Sequence, residues 1–135
     1  MNPLVFEDTG SLGNPTLHDA CLYRMDFGGK QVTLYCRHPD GQRTRLELRG
    51  VAHMLSNGLA EQNVLLDVCV EGDSAVCART LNRILPGTEA AQQAYRDLVL
   101  QRLQQKKLML LRFSPSYGGE ILVLCEEACY ELAIS

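Results

Sequence analysis

Leu17–Gly50, LHDACLYRMDFGGKQVTLYCRHPDGQRTRLELRG, reads as a three-stranded antiparallel meander, and the rest of the chain is expected to pack on it. From His18 to Phe27 the odd positions, from Asp19 through Cys21, Tyr23 and Met25 to Phe27, are largely apolar, the period of a half-buried strand. Gly28-Gly29 follows, and two residues without a Cβ suit the positive φ of a two-residue hairpin turn. That turn sets Phe27 opposite Lys30, Met25 opposite Val32, Tyr23 opposite Leu34 and Cys21 opposite Cys36. Pro39-Asp40-Gly41 supplies a second turn, in which Pro presets φ and Gly takes the left-handed position. It pairs Cys36 with Thr44, Leu34 with Leu46 and Val32 with Leu48. Apolar meets apolar across both turns, as a correct register requires.

The other face of the meander carries Thr33, Tyr35, Arg37, Arg43, Arg45, Glu47 and Arg49. Tyr35, Arg37, Arg43, Arg45 and Arg49 form a candidate interaction face for an acidic partner, although a solvated antiparallel face also alternates polar residues outward. The whole chain has 13 basic and 16 acidic residues, so no global field favours nucleic acid.

The 135 residues suit a single domain, residues 1–135, with 1–16 an irregular lead-in containing Gly10, Gly13, Asn14 and Pro15. MNPLVFEDTG has no basic segment ahead of a long apolar run, and no apolar run is long enough to span a bilayer, so a cytoplasmic protein without membrane contact is expected. The cysteines at 21, 36, 69, 77, 125 and 129 are then expected to be reduced. Val51–Glu61 reads as a connector and Asn63–Val70, NVLLDVCV, as a fourth strand. Asp73 or Ser74 caps a short helix to Leu85, with Cys77, Leu81, Ile84 and Leu85 on one face. Thr88 caps a longer helix, Glu89–Gln105, with Ala91, Ala94, Tyr95, Leu98 and Val99 as its inward stripe.

Lys107–Ser114 and Glu120–Glu126 are apolar at both parities, so each is covered on two sides or lies in an interface, which makes a homodimer reasonable. Ala128–Ile134 closes the chain, with Tyr130, Leu132 and Ile134 facing in. The expected fold is α+β: about seven strands in an antiparallel, curved or partly sandwich-like sheet, with one long helix packed on it.

Four constellations invite chemistry. His18 and Asp19 with His38 form a candidate polar cluster, because the expected register places Asp19 across from His38 and a carboxylate can orient an imidazole. Adjacent strand residues point to opposite faces, however, so His18 and Asp19 cannot share one site without a bulge. For metal binding no C-x-x-C occurs, and Cys125-x-x-x-Cys129 lacks a second pair, so no metal site and no cofactor are assigned. Cys77 lies near a helix start but on the buried face, a poor place for a nucleophile. Ser116-Tyr117-Gly118-Gly119-Glu120 lacks the pattern of a phosphate-binding loop and reads as a tight connector.

L-H-D-A at Leu17–Ala20, the hydrophobic meander, and Leu46-Glu47-Leu48-Arg49-Gly50-Val51 at its end resemble small uncharacterised bacterial domains, including immunity-protein-like families of toxin systems. The similarity covers residues 17–51. It implies a non-enzymatic protein-binding module and supplies no catalytic residue. The alternative is a small hydrolase or metal-dependent enzyme using His18, Asp19 and His38.

Overall fold

The protein is described over residues 1–133 by a computed structural model. In chain order its elements are β1 (Asn2–Pro3), β2 (Val5–Phe6), β3 (Leu12–Asn14), β4 (Cys21–Gly28), β5 (Gln31–Arg37), β6 (Arg43–Arg49), β7 (His53–Asn57), β8 (Asn63–Val70), α1 (Ser74–Ile84), α2 (Ala90–Gln104), β9 (Met109–Tyr117), β10 (Glu120–Cys125) and β11 (Glu127–Ala133). Nine strands make one sheet in the order β1-β11-β6-β5-β4-β8-β9-β10-β7, and β2 pairs with β3 apart from it. Every pairing is antiparallel.

The second hairpin of the meander has the expected register. Val32 faces Leu48, Leu34 faces Leu46 and Cys36 faces Thr44, and all six are buried. The first hairpin departs from expectation. Its turn is Gly29-Lys30, one residue later, so that Phe27 faces Val32 and Met25 faces Leu34. Between Leu22 and Arg24 the register shifts, leaving Tyr23 as the extra residue of a bulge. Parity therefore flips below the bulge. Leu22, not Cys21, faces Cys36 and is buried; Tyr23 turns out to solvent. β4 also starts at Cys21 and not at His18, because Asp19 takes a left-handed φ of 66° and Ala20 N–H closes a turn onto Leu17 O.

One buried cluster draws Leu22, Val32, Leu34, Cys36, Leu46 and Leu48 from β4–β6, Leu65, Val68, Leu111, Phe113, Ile121, Val123 and Cys125 from β8–β10, and Ala128 and Tyr130 from β11. None of these residues is helical, so the sheet covers itself, one half against the other, as in a sandwich. β6–β7 and β10–β11 turn the corner between the halves side by side. Glu126 N–H donates to Arg49 O at 3.0 Å, and Ala52 N–H to Leu124 O at 2.8 Å.

A second cluster lies on the outer face of β9 and β10, where Leu110 and Leu124 are covered by Cys77 and Leu81 of α1 and Val99 of α2. The two apolar parities of β9 and β10 thus face the two clusters of one chain, and this pattern calls for no second copy. Both expected helices form, of 11 and 15 residues, and both cover the sheet, where the longer one alone was expected to. No helix among the described residues is long and apolar enough to cross a membrane.

Asp73 caps α1, its Oδ1 accepting from Ala75 N–H at 2.9 Å and Val76 N–H at 3.0 Å. On α2 the cap is Glu89 and not Thr88: Glu89 and Gln92 exchange side-chain and backbone bonds in a capping box. The inward face of α2 is also rotated from the expected stripe. Arg96 and Val99 are buried, with Leu100 and Leu103 packed beside them, whereas Tyr95 and Leu98 are exposed. The Arg96 guanidinium donates to Leu85 O at 2.6 Å, at the C-terminal end of α1, and to Gln93 Oε1 at 2.9 Å. Satisfying those end carbonyls turns this side of α2 inward.

Three further expectations change. The lead-in is not wholly irregular, since β1 pairs with β11 and β2 with β3. The Val51–Glu61 connector contains β7, paired with β10. Leu132 is 60% exposed and does not face in: it lies past Tyr130, where the cover of β11 by β1 ends; Ile134 falls outside the described residues.

Candidate functional site

The solvent face of β4, β5 and β6 is built by the alternation that buries their other side. With Val32, Leu34 and Cys36 inward, Thr33, Tyr35 and Arg37 must point outward, and Arg43, Arg45, Glu47 and Arg49 follow on β6. The structure brings the five predicted residues, Tyr35, Arg37, Arg43, Arg45 and Arg49, onto this one face. The bulge adds Tyr23, which the alternation had placed inside, and sets it beside Arg24.

The face has a definite geometry. The Tyr23 and Tyr35 rings lie 6.2 Å apart between centroids. Arg24 stacks over Tyr35 at 5.0 Å, while Arg37 and Arg43 both lie over Tyr23, at 5.2 and 5.7 Å. Arg37 and Arg43 are also direct cross-strand partners.

Most cations here are answered by carboxylates of the same chain. Arg24 Nε donates to Asp26 Oδ1 at 2.9 Å, and this hydrogen bond lowers the Asp26 carboxyl pKa and raises that of Arg24. Arg45 pairs with Glu131. Arg49 bonds Glu47 at 3.3 Å and meets Glu127 at 3.6 Å, and the hydrogen bond to Glu47 raises its pKa. Among the described residues, Arg37 and Arg43 have no carboxylate partner. Like charges directly opposite each other in a sheet are destabilising. An exposed cation–π contact returns roughly 0.5–1 kcal/mol. Two such contacts offset the one opposed pair, so stacking on Tyr23 is what lets both arginines stand at this position.

Neither a family model, nor a curated protein, nor a solved structure matches this chain.

The polar cluster of His18, Asp19 and His38 does not assemble. His18 Nδ1 is 2.8 Å from Leu66 O, and its Nε2 is 3.5 Å from Asp19 Oδ2. His38 instead bonds Thr44 Oγ1 at 2.7 Å, at the far end of the β5–β6 hairpin. Asp19 was expected across from His38, but it sits in the turn before β4, outside the ladder that β5 extends. The hollow beside His18 measures about 60 Å³ and is lined by neither Asp19 nor His38. That is room for about two waters, far below the size of a substrate pocket. No group of three or more His, Cys, Asp or Glu among the described residues could hold a metal ion.

The six cysteines are unpaired. Burial pushes the Cys36 and Cys125 thiols up to about 12 and raises Cys77 as well, the opposite of what a nucleophile needs. The expected connector shrinks to Gly118-Gly119, because β9 runs on to Tyr117 beside β8; Asn63 Oδ1 accepts from Ala60 N–H at 3.0 Å and Gly119 N–H at 3.1 Å, tying two loops together. Its glycines serve close packing.

Tyr23 was missed because strict alternation puts it inside, whereas Arg24 already stood at an outward position of that alternation and was not counted in the face. A signal for the bulge existed. Leu22, Met25 and Phe27 are spaced three and then two, the mark of one inserted residue in a strand.

Proposed function

We propose that this chain is a non-enzymatic, cytosolic protein-interaction module, of the immunity-like kind, that binds an acidic partner protein through the Tyr23–Tyr35–arginine face. The observation that carries this reading is the Arg37–Tyr23–Arg43 cluster: two opposed, exposed cations without a carboxylate partner among the described residues, stacked on one exposed ring. Arginine and tyrosine are the residue types that dominate binding energy at interfaces. Stacking on Tyr23 reduces the freedom that the arginine side chains would lose on binding, which favours affinity. Six unpaired thiols suit a reducing compartment.

The test compares three tagged baits in their own cells: the wild-type chain, Arg37→Glu/Arg43→Glu, and Arg79→Glu on the exposed side of α1. The wild type and the Arg79 variant are expected to retain an acidic protein in stoichiometric amount. The double variant should lose it by more than about tenfold with an unchanged melting temperature. Undiminished capture by the folded double variant contradicts the proposal.

A further inference from the structure

The geometry points to a phosphorylated side chain of the partner protein as the group held between Arg37 and Arg43. This rests on the interaction reading above and specifies what the face recognises. Three observations carry it.

The first is charge matching. Arg24, Arg45 and Arg49 are neutralised by Asp26, Glu131, Glu47 and Glu127, which leaves Arg37 and Arg43 as the two cations without a carboxylate partner among the described residues of this face. A carboxylate brings one charge and two oxygens, enough for a single guanidinium fork. A phosphate monoester brings close to two charges and three acceptor oxygens, enough to bridge two forks.

The second is spacing. Arg37 and Arg43 are direct cross-strand neighbours over the same ring, so one compact anion can reach both. The exposed Tyr23 and the half-buried Tyr35 beside it offer a surface for the residues flanking the phosphorylated one.

The third excludes a polyanion. Glu131, Asp26, Glu47 and Glu127 follow one another along the strands to one side of the pair, and successive phosphates of a nucleic acid laid along β4–β6 would run onto these carboxylates. A single dianion avoids them.

The test follows the arginine Nε–Hε resonances of the full-length chain during titration at moderate salt. The probes are a blocked tripeptide with a central phosphoserine, the same tripeptide with glutamate, inorganic phosphate and a short oligothymidylate. The phosphoserine peptide is expected to shift Arg37 and Arg43 and to bind about fivefold or more tightly than the glutamate peptide or inorganic phosphate. Arg37→Gln and Arg43→Gln should each remove about that factor, and Arg45→Gln should not.

Equal binding of the glutamate peptide overturns the phosphoryl assignment and leaves the acidic-partner reading to the capture experiment. Equal or tighter binding of inorganic phosphate also overturns it, because the pair would then take a free ion. Tighter binding of oligothymidylate overturns both readings in favour of nucleic acid. Unmoved Arg37 and Arg43 resonances with every probe overturn the phosphoryl assignment, and capture of a partner that still depends on these arginines would show that the broader reading survives.

Discussion

Phe113→Ala is expected to destabilise the protein by about 3–5 kcal/mol. Phe113 is fully buried at the centre of β9, between Ile121 on β10 and Val68 on β8. Its ring belongs to the cluster in which the two halves of the sheet meet, so truncation opens a cavity lined by residues that strand pairing holds in place. Typical domains are stable by about 5–15 kcal/mol, so the loss is a large part of the total. Urea melts should show a lower midpoint at an unchanged slope. Phe27→Ala is the internal comparison: Phe27 is 67% exposed, and its loss should cost within about 0.5 kcal/mol. Equal effects at the two positions would mean that the halves are not packed on each other.

Gly118→Ala is expected to cost about 3 kcal/mol, from backbone strain and overpacking together. Gly118 has a φ of 91°, where an L side chain is strained. A Cβ there would lie 2.7 Å from Gln62 O and 2.9 Å from Asn63 Cα, both backbone atoms that cannot rotate away. It would also press on Asn63 Oδ1, which holds Ala60 and Gly119 together. Gly72→Ala is the control, since a Cβ at Gly72 meets nothing within 4 Å. Thermal melts of the pair should separate clearly. Similar midpoints would contradict the loop geometry.

Much of this architecture was legible where local chemistry decides it. Pro39-Asp40-Gly41 set the β5–β6 register, the aliphatic run Asn63–Val70 marked β8, and Asp73 announced α1. The strands apolar at both parities were read as covered on both sides or lying in an interface, and residues of both parities pack into the two clusters of the chain. What escaped depends on contacts distant in sequence. β7 is a strand because β10 lies beside it, and nothing within Val51–Glu61 announces that pairing. The rotation of α2 follows from Arg96 reaching Leu85 O, a bond that an apolar stripe cannot foretell. The candidate face divides in the same way. Tyr35 and the arginines of β5 and β6 were found by alternation, while Tyr23 reaches the face through one bulge. The His18, Asp19 and His38 grouping failed because it carried strand geometry through the left-handed turn at Asp19.

The most direct test of the central claim is an arginine footprint of the partner-bound chain, made with a dicarbonyl reagent and read by mass spectrometry. Arg37 and Arg43 should react in the free protein and be protected in the complex, while the exposed Arg79 on α1 reacts in both. If Arg37 and Arg43 react as readily in the complex as in the free chain, the partner binds elsewhere and this face is not its site.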